Sequence, residues 1–190
     1  MANQFKMGDV YNPDGIEMVY VSGFFIGKYE VTQEQWFKVM GYNPSYFKSP
    51  NHPVESVSLF KVKEFISHLN EKTKRNYRLP TYREWCDAAY GTNAYKYAGS
   101  NDVDEVAWYR ENSGGTTHEV GTKKPNGIGI YDMSGNVEEW IDDAVLDKDI
   151  AMGGGWNFSA EDVCRESAND YPSNDNYTGF RLALDLQSCS

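Results

Sequence analysis

The chain has 190 residues, long enough for one sizeable core, and no Gly/Ser- or Pro-rich linker divides it. Its 28 acidic residues against 18 basic ones leave a formal charge of −10, which argues against nucleic acid or anionic lipid as the main partner because counterion release needs clustered Lys and Arg. Aromatic residues make up 15% of the chain although mean hydropathy is only −0.66, so burial must come largely from Trp and Tyr, whose polar tips need partners.

The opening "MANQFKMGDV" lacks a basic-then-apolar signal pattern, and nowhere do eighteen apolar residues run together, so the chain is expected to be soluble and not inserted in a membrane. "IEMVYVSGFFIGKYEVT" alternates and is rich in β-branched and aromatic residues, which predicts a hairpin turning at Ser22 and Gly23. Thr32 and Gln35 then form a capping-box pattern that starts a short helix, which Gly41 can end. A second helix is predicted after Ser58, burying a stripe of Phe60, Val62, Phe65, Ile66 and Leu69. The basic run "KTKRNYR" after it reads as a solvated helix end. A third helix follows Pro80, capped by Thr81 and Glu84, with Trp85, Ala88 and Ala89 facing inward.

From Gly91 to Leu184 the periodicity mostly disappears, and Gly, Asn, Asp, Ser and Tyr surround short apolar islands. The frequency of Trp and Tyr there points to a loop-rich fold pinned by aromatics, since disordered chains are poor in both. Cys86, Cys164 and Cys189 are too few and too unevenly spaced for a disulfide framework, and no CxxC or CxxH pair indicates zinc. His52, His68 and His118 are scattered, with no triad spacing. There is no GxSxG, P-loop or HExxH, and the adjacent pairs Glu138-Glu139 and Asp142-Asp143 read as solvated acidic faces. The triple glycine at 153–155 precedes Trp156 and not a helix, so it is expected to let the backbone pass close to the core.

Eight stretches occur in the order of one family: "KYEVTQEQW", "NPSYF", "PVESVS", "YRLPTYREW", "VAWYRENSGG", "THEVGTKKPNGIGIYDMSGNVEEW", "GGGW" and "GFRLAL". On these motifs the chain resembles the formylglycine-generating-enzyme-like (sulfatase-modifying factor) domain over nearly its whole length. The resemblance implies an α+β, C-type-lectin-like fold, loop-rich, with short helices and small antiparallel sheets, as a single domain over residues 1–190. The family signature usually reads GNVWEW; here Glu138 stands where the first tryptophan is usual, which leaves that position exposed or repacked. In members with a structural calcium this turn supplies ligands, and Asn136 and Glu139 are the matching oxygens, of a kind that suits a hard cation. The same residues equally well shape a turn and accept hydrogen bonds.

Members that oxidise a sulfatase cysteine carry two copper-binding cysteines five positions apart shortly after the GG[ST][WY] motif, and a soft Cu(I) ion needs such paired thiolates. The matching positions here are Phe158 and Val163, so copper is not expected. Cys164 and Arg165 instead resemble the family's non-catalytic C-R pair, which holds the loop. A second set of enzymatic relatives, the iron sulfoxide synthases, takes its iron ligands from a histidine triad in another domain, and no such triad is present here.

Between Gly155 and Gly179 lie 23 residues, of which 13 are Asn, Ser, Asp, Tyr or Thr. That vocabulary suits an adaptable contact surface: Tyr supplies rigid area, and the small polar residues supply versatile hydrogen bonds. The arrangement is similar to the variable proteins of diversity-generating retroelements, in which adenine-directed mutagenesis varies some positions between fixed ones. On that resemblance Trp156, Ala160, Glu161, Cys164, Arg165, Ala168, Pro172, Gly179, Phe180 and Arg181 form the fixed comb, within a variable region over residues 153–184. Trp156, Cys164, Arg165, Phe180 and Arg181 are scaffold. Phe158, Val163, Tyr171 and Tyr177 are the expected anchors of a ligand surface, with Asn157, Ser159, Ser167, Asn169, Asp170, Ser173, Asp175, Asn176 and Thr178 as polar contacts. The sequence thus reads as a non-catalytic binder of a protein or other macromolecule, carried on a bacterial surface or phage particle. A degenerate formylglycine-generating-type oxidase and an accessory structural module are the alternatives.

Overall fold

The computed structural model describes residues 5–142, 149–170 and 172–186, and every structural statement below concerns these. The expected hairpin is present as β2 (Met18–Tyr20) and β3 (Phe24–Gly27), with Val21 N–H donating to the Phe24 carbonyl across the Ser22-Gly23 turn. The preceding β1 (Val10–Tyr11) pairs with β2. The capping box at Thr32 and Gln35 starts α1 (Gln33–Met40), and Gly41 closes it in the left-handed conformation (φ +77°) that favours glycine.

Ser58 caps α2 (Leu59–Thr73), which buries Val62, Phe65, Ile66 and Leu69 as the stripe requires. Phe60 departs from the expected stripe and is 74% exposed, because it sits two residues before Val62 and therefore on another side of the helix. The run "KTKRNYR" is also more than a solvated end. After Lys74, Arg75 pairs with Asp14, and Tyr77 and Arg78 form β4 (Tyr77–Arg78). The Arg78 guanidinium reaches both Glu84 (2.7 Å) and Asp185 (2.7 Å), tying α3 (Tyr82–Tyr90) to the last strand. Thr81 and Glu84 complete the second capping box, and Trp85, Ala88 and Ala89 are buried as predicted.

A four-residue helix, α4 (Val103–Val106), and five further strands follow: β5 (Glu138–Ile141), β6 (Ile150–Met152), β7 (Ala168–Asn169), β8 (Thr178–Phe180) and β9 (Ala183–Asp185). One sheet has the order β1-β2-β3-β9-β4 and is antiparallel throughout; β9, from the chain's end, lies between β3 and β4. The other has the order β7-β6-β5-β8, and its β5-β8 pair is parallel. The α+β expectation of short helices and small sheets holds, and the parallel β5-β8 pair departs from the antiparallel pairing expected.

The largest core cluster stacks Trp36 on Phe65 with ring centroids 5.1 Å apart and sets Phe180 edge-on to both. Each such ring contributes about 1.5–3 kcal/mol by leaving water. A second cluster gathers Trp85, Ile130, Met133 and Met152, and a third gathers Tyr97, Val106, Ala107, Tyr109 and Val163. Phe180 thus ends a strand of the second sheet while filling the core of the first, which fixes one end of the 153–178 segment.

Candidate functional site

The other end is fixed by close approach. Gly154 has φ +65°, and a Cβ there would overlap the Asp162 carbonyl and stand 3.0 Å from Val163. A side chain on Gly153 would meet the Trp85 ring at 3.0 Å, so the triple glycine does carry the backbone against the core. Beyond it the chain makes short turns, Phe158 N–H to Gly155 and Asp162 N–H to Ser159, and is anchored outward by Arg110 N–H on the Phe158 carbonyl and Arg165 N–H on the Lys96 carbonyl.

The five scaffold residues all bind structure. Trp156 donates its indole N–H to the Asn176 carbonyl (2.9 Å) and meets Phe47 edge-on. Cys164 lies 3.2 Å from the Ser167 hydroxyl. Arg165 donates to the Asn93 carbonyl and lies 3.9 Å over the Tyr90 ring. Phe180 is core, and Arg181 is the largest buried cation of the described chain. Arg181 forks onto Glu139 through two 2.6 Å bonds and also donates to the carbonyls of Gly27 and Tyr131.

Arg181 sits among three buried carboxylates, Glu30, Asp132 and Glu139. With one guanidinium for three acids, burial dominates. It raises the Glu30 carboxyl well above the usual range and that of Asp132 to about 6, each pushed further by neighbouring carboxylates and partly relieved by Arg181. Asn136, in a left-handed turn (φ +63°), donates to Glu30 (2.8 Å) and accepts from His118 N–H. Glu139 also accepts from the Trp85 indole (2.7 Å). Both Glu139 oxygens already accept from the Arg181 guanidinium and the Asn136 oxygen from His118 N–H, so these side chains do not fit a calcium site.

The expectation that Glu138-Glu139 is a solvated pair is corrected on both counts. Both are fully buried, Glu139 on Arg181 and Glu138 on the other side of β5. Glu138 accepts from the Thr178 hydroxyl (2.8 Å) and the Asn169 amide (3.1 Å). Burial raises its carboxyl, these two bonds lower it, and the charge of Asp175 raises it again. Asp142, by contrast, pairs with exposed Lys63, and Asp143 lies outside the described residues.

Of the predicted contact residues, Phe158, Ser167 and Asn169 line one cavity. Asn157, Phe158, Ser159, Ser167, Asn169, Ser173, Asn176 and Tyr177 are half-buried, and Asp170 and Asp175 are exposed. Phe158 and Tyr177 pack edge-on at 5.6 Å. The Asp175 carboxylate accepts from Ser173 (2.5 Å) and Tyr177 (3.0 Å), and those two hydroxyls are 2.9 Å apart. These links hold the side chains of one turn to one another.

Two assignments are corrected. Val163 is fully buried among Tyr97, Val106, Ala107 and Tyr109 and is a core residue, not an anchor for ligand. Thr178 is fully buried on β8, where it donates to Glu138. Tyr171 lies outside the described residues.

A cavity of about 220 Å³ opens on this face, lined by Glu138, Gly154, Phe158, Asp162, Ser167, Ala168 and Asn169. Glu138 was not foreseen here. The available signal was its place in the signature: a charged residue where a large apolar one is usual must find partners or stay exposed. The chemistry of the oxidising members has no counterpart at the matching positions, since Phe158 and Val163 carry no sulfur and Cys164 binds Ser167. His52 and His118 hydrogen-bond Thr117 and the Ser113 carbonyl, and His118 stacks on Trp108.

A profile of the Sulfatase-modifying factor enzyme 1-like domain matches residues 2–186. Chaperone protein LppX of Paenibacillus barcinonensis is 36% identical in a match covering 73% of this chain and 71% of that protein. The structure of Treponema denticola variable protein 1 is 26% identical and superposes with a TM-score of 0.83, covering 93% of this chain and 98% of that one. The Major Tropism Determinant I1 variant, 16% identical with a TM-score of 0.59, covers 93% of this chain and 54% of its own, a likeness of fold alone. The chain belongs to the sulfatase-modifying factor enzyme 1-like family, and its fold is the one that resemblance implied.

Proposed function

We propose that this protein is a non-catalytic receptor domain whose 153–178 face binds a protein or other macromolecule. The single observation that carries this is the contrast along the segment: its start is held by the close approach of Gly153 and Gly154 to the core and its end runs into the buried Phe180 and Arg181, while small polar residues between them reach the surface on a hydrogen-bonded backbone. Such a surface can change its side chains without changing its frame. The family includes enzymes, but the positions matching their copper-binding cysteines are Phe158 and Val163, so the domain works without copper, and Asn136 and Glu139 serve structure. The likeness to a protein named as variable supports a diversified surface, and the likeness to a protein named as a chaperone supports a polypeptide ligand. Display on a bacterial surface or phage particle accords with the tropism-determinant fold. Among the described residues no helix is long and apolar enough to cross a membrane.

Deep sequencing of the coding region across clonal isolates tests this reading. Variation should concentrate at Asn157, Ser159, Ser173, Asn176 and Tyr177 and spare Trp156, Val163, Arg165, Thr178 and Arg181. Variation spread evenly over the chain, or equally frequent at Val163 and Thr178, would overturn it.

A further inference from the structure

Glu138 is fully buried, yet it lines the cavity of about 220 Å³ on the proposed binding face. Its hydrogen-bond donors Thr178 and Asn169 are neutral, and among the described residues no Lys, Arg or His lines the cavity. The second carboxylate of the lining, Asp162, accepts from Ser159. Glu139, the next residue, meets the Arg181 guanidinium at 2.6 Å, so among the described residues the adjacent carboxylates of one strand differ in that only Glu139 has a cation partner. From residue 156 to residue 178 there are five acidic side chains and one basic one, and that one, Arg165, is held against Asn93 and Tyr90. Phe158 supplies an apolar wall able to lie along a methylene chain.

We propose that this cavity receives the cationic head of a basic side chain, an arginine guanidinium or a lysine ammonium, presented by a protein ligand. Glu138 would then be the specificity-determining residue of the face, supplying within the cavity what Arg181 supplies to Glu139 in the core. The tie to a protein ligand rests on the binding function proposed above; the cation preference of the cavity stands on its own lining. A cation desolvated against a buried carboxylate forms a charge-assisted bond, stronger than a neutral one. A neutral isostere of the same shape cannot form it.

Isotope-labelled full-length protein should be titrated with N-acetyl-arginine methylamide, N-acetyl-lysine methylamide and the uncharged N-acetyl-citrulline methylamide, following amide resonances of Gly154, Ser167 and Asn169. Both cations should shift these signals saturably, and citrulline should bind at least about tenfold more weakly. Glu138→Gln, which keeps the shape and can keep the Thr178 bond, should weaken both cations by about the same factor and leave citrulline unchanged. Ala168→Phe, a larger side chain on an exposed lining position, should block all three, so the result does not depend on the tolerance of residue 138. Equal binding of citrulline, unchanged cation binding by Glu138→Gln, or the absence of saturable shifts at this cavity would each overturn the proposal. If the cations bind here but natural variation is even along the chain, the receptor reading fails and the cavity assignment stands. If variation concentrates on the face but the cavity ignores cations, the reverse holds.

Discussion

The two sheets of this protein are held in different ways. Around β1-β2-β3-β9-β4, stability comes from apolar packing: Trp36, Phe65, Phe180 and the stripe of α2 interlock with few polar groups. Around β7-β6-β5-β8, the core-facing side carries a network of Arg181, Glu139, Glu30, Asp132 and Asn136, and the outer side carries short turns fixed by side-chain hydrogen bonds. Apolar packing tolerates change only if volume is kept, whereas a surface turn held by its own backbone tolerates changes of side chain. The rigid packing therefore lies beneath the proposed binding face, and the side chains that could change without disturbing it lie upon that face.

The sharpest way to break that contrast is to remove Arg181, the one buried cation among the described residues. Arg181→Met leaves Glu139 without its fork and Glu30 and Asp132 without a nearby positive charge, and should cost about 3–5 kcal/mol, the range for uncompensated buried charges. At about 2–4 °C per kcal/mol for a chain of this size, the midpoint should fall by roughly 6–20 °C in a calorimetric scan. A drop of only a degree or two would show that the network is not what holds the second sheet.

The same network makes a pH-dependent claim. Asp132 titrates near 6 in the folded protein against 3.8 for the free side chain, so folding favours its protonated form. That contribution is fully present below about pH 4 and is lost as pH rises through 6; Glu30 acts in the same direction. Asp132→Asn can keep the bond from Gly121 N–H while removing the charge. Measured by urea unfolding, the variant should gain on the parent between pH 4 and 7 by up to about 3 kcal/mol, from a shift of roughly two units at 1.36 kcal/mol each. A constant difference across that range would show that Asp132 stays ionised.

Smaller again is the contribution of a helix start. Thr32→Ala removes the bond to Gln35 N–H (3.2 Å) and should cost about 1 kcal/mol, readable as a shift in urea midpoint without a change in slope.

The elements with local signals were legible in the sequence. Both capping boxes, the hairpin at Ser22-Gly23 and the apolar stripe of α2 depend on spacings within a few residues, and they appear where the pattern puts them, Phe60 of the stripe excepted. The scaffold roles of Trp156, Arg165, Phe180 and Arg181 were legible through family motifs, with their partners found only in the structure. What escaped was long-range. Val163 and Thr178 are small enough for either core or surface, and only the third cluster and the β5-β8 pairing decide that they are buried. Glu138 escaped for the same reason: its partners, Asn169 and Thr178, lie 31 and 40 residues away, and no local pattern brings a carboxylate under a loop.

The smallest expected effect is the most telling for the contrast between the two sheets. Ser173 and Asn176 are half-buried on the face, and the Asn176 backbone carbonyl, not its side chain, receives the Trp156 indole. Replacing both by alanine removes the Ser173 hydroxyl from the Asp175-Tyr177 group but leaves the Tyr177-Asp175 bond and every backbone bond of the turn. Because exposed hydrogen bonds exchange readily with water, the double variant should unfold within about 0.5 kcal/mol of the parent. Its spectrum in the near ultraviolet should be unchanged, since Trp156, Phe158 and Tyr177 keep their packing. If the pair instead costs as much as a core substitution, the turn is part of the scaffold and cannot vary freely. The binding face would then shrink to the cavity over Glu138 and its rim.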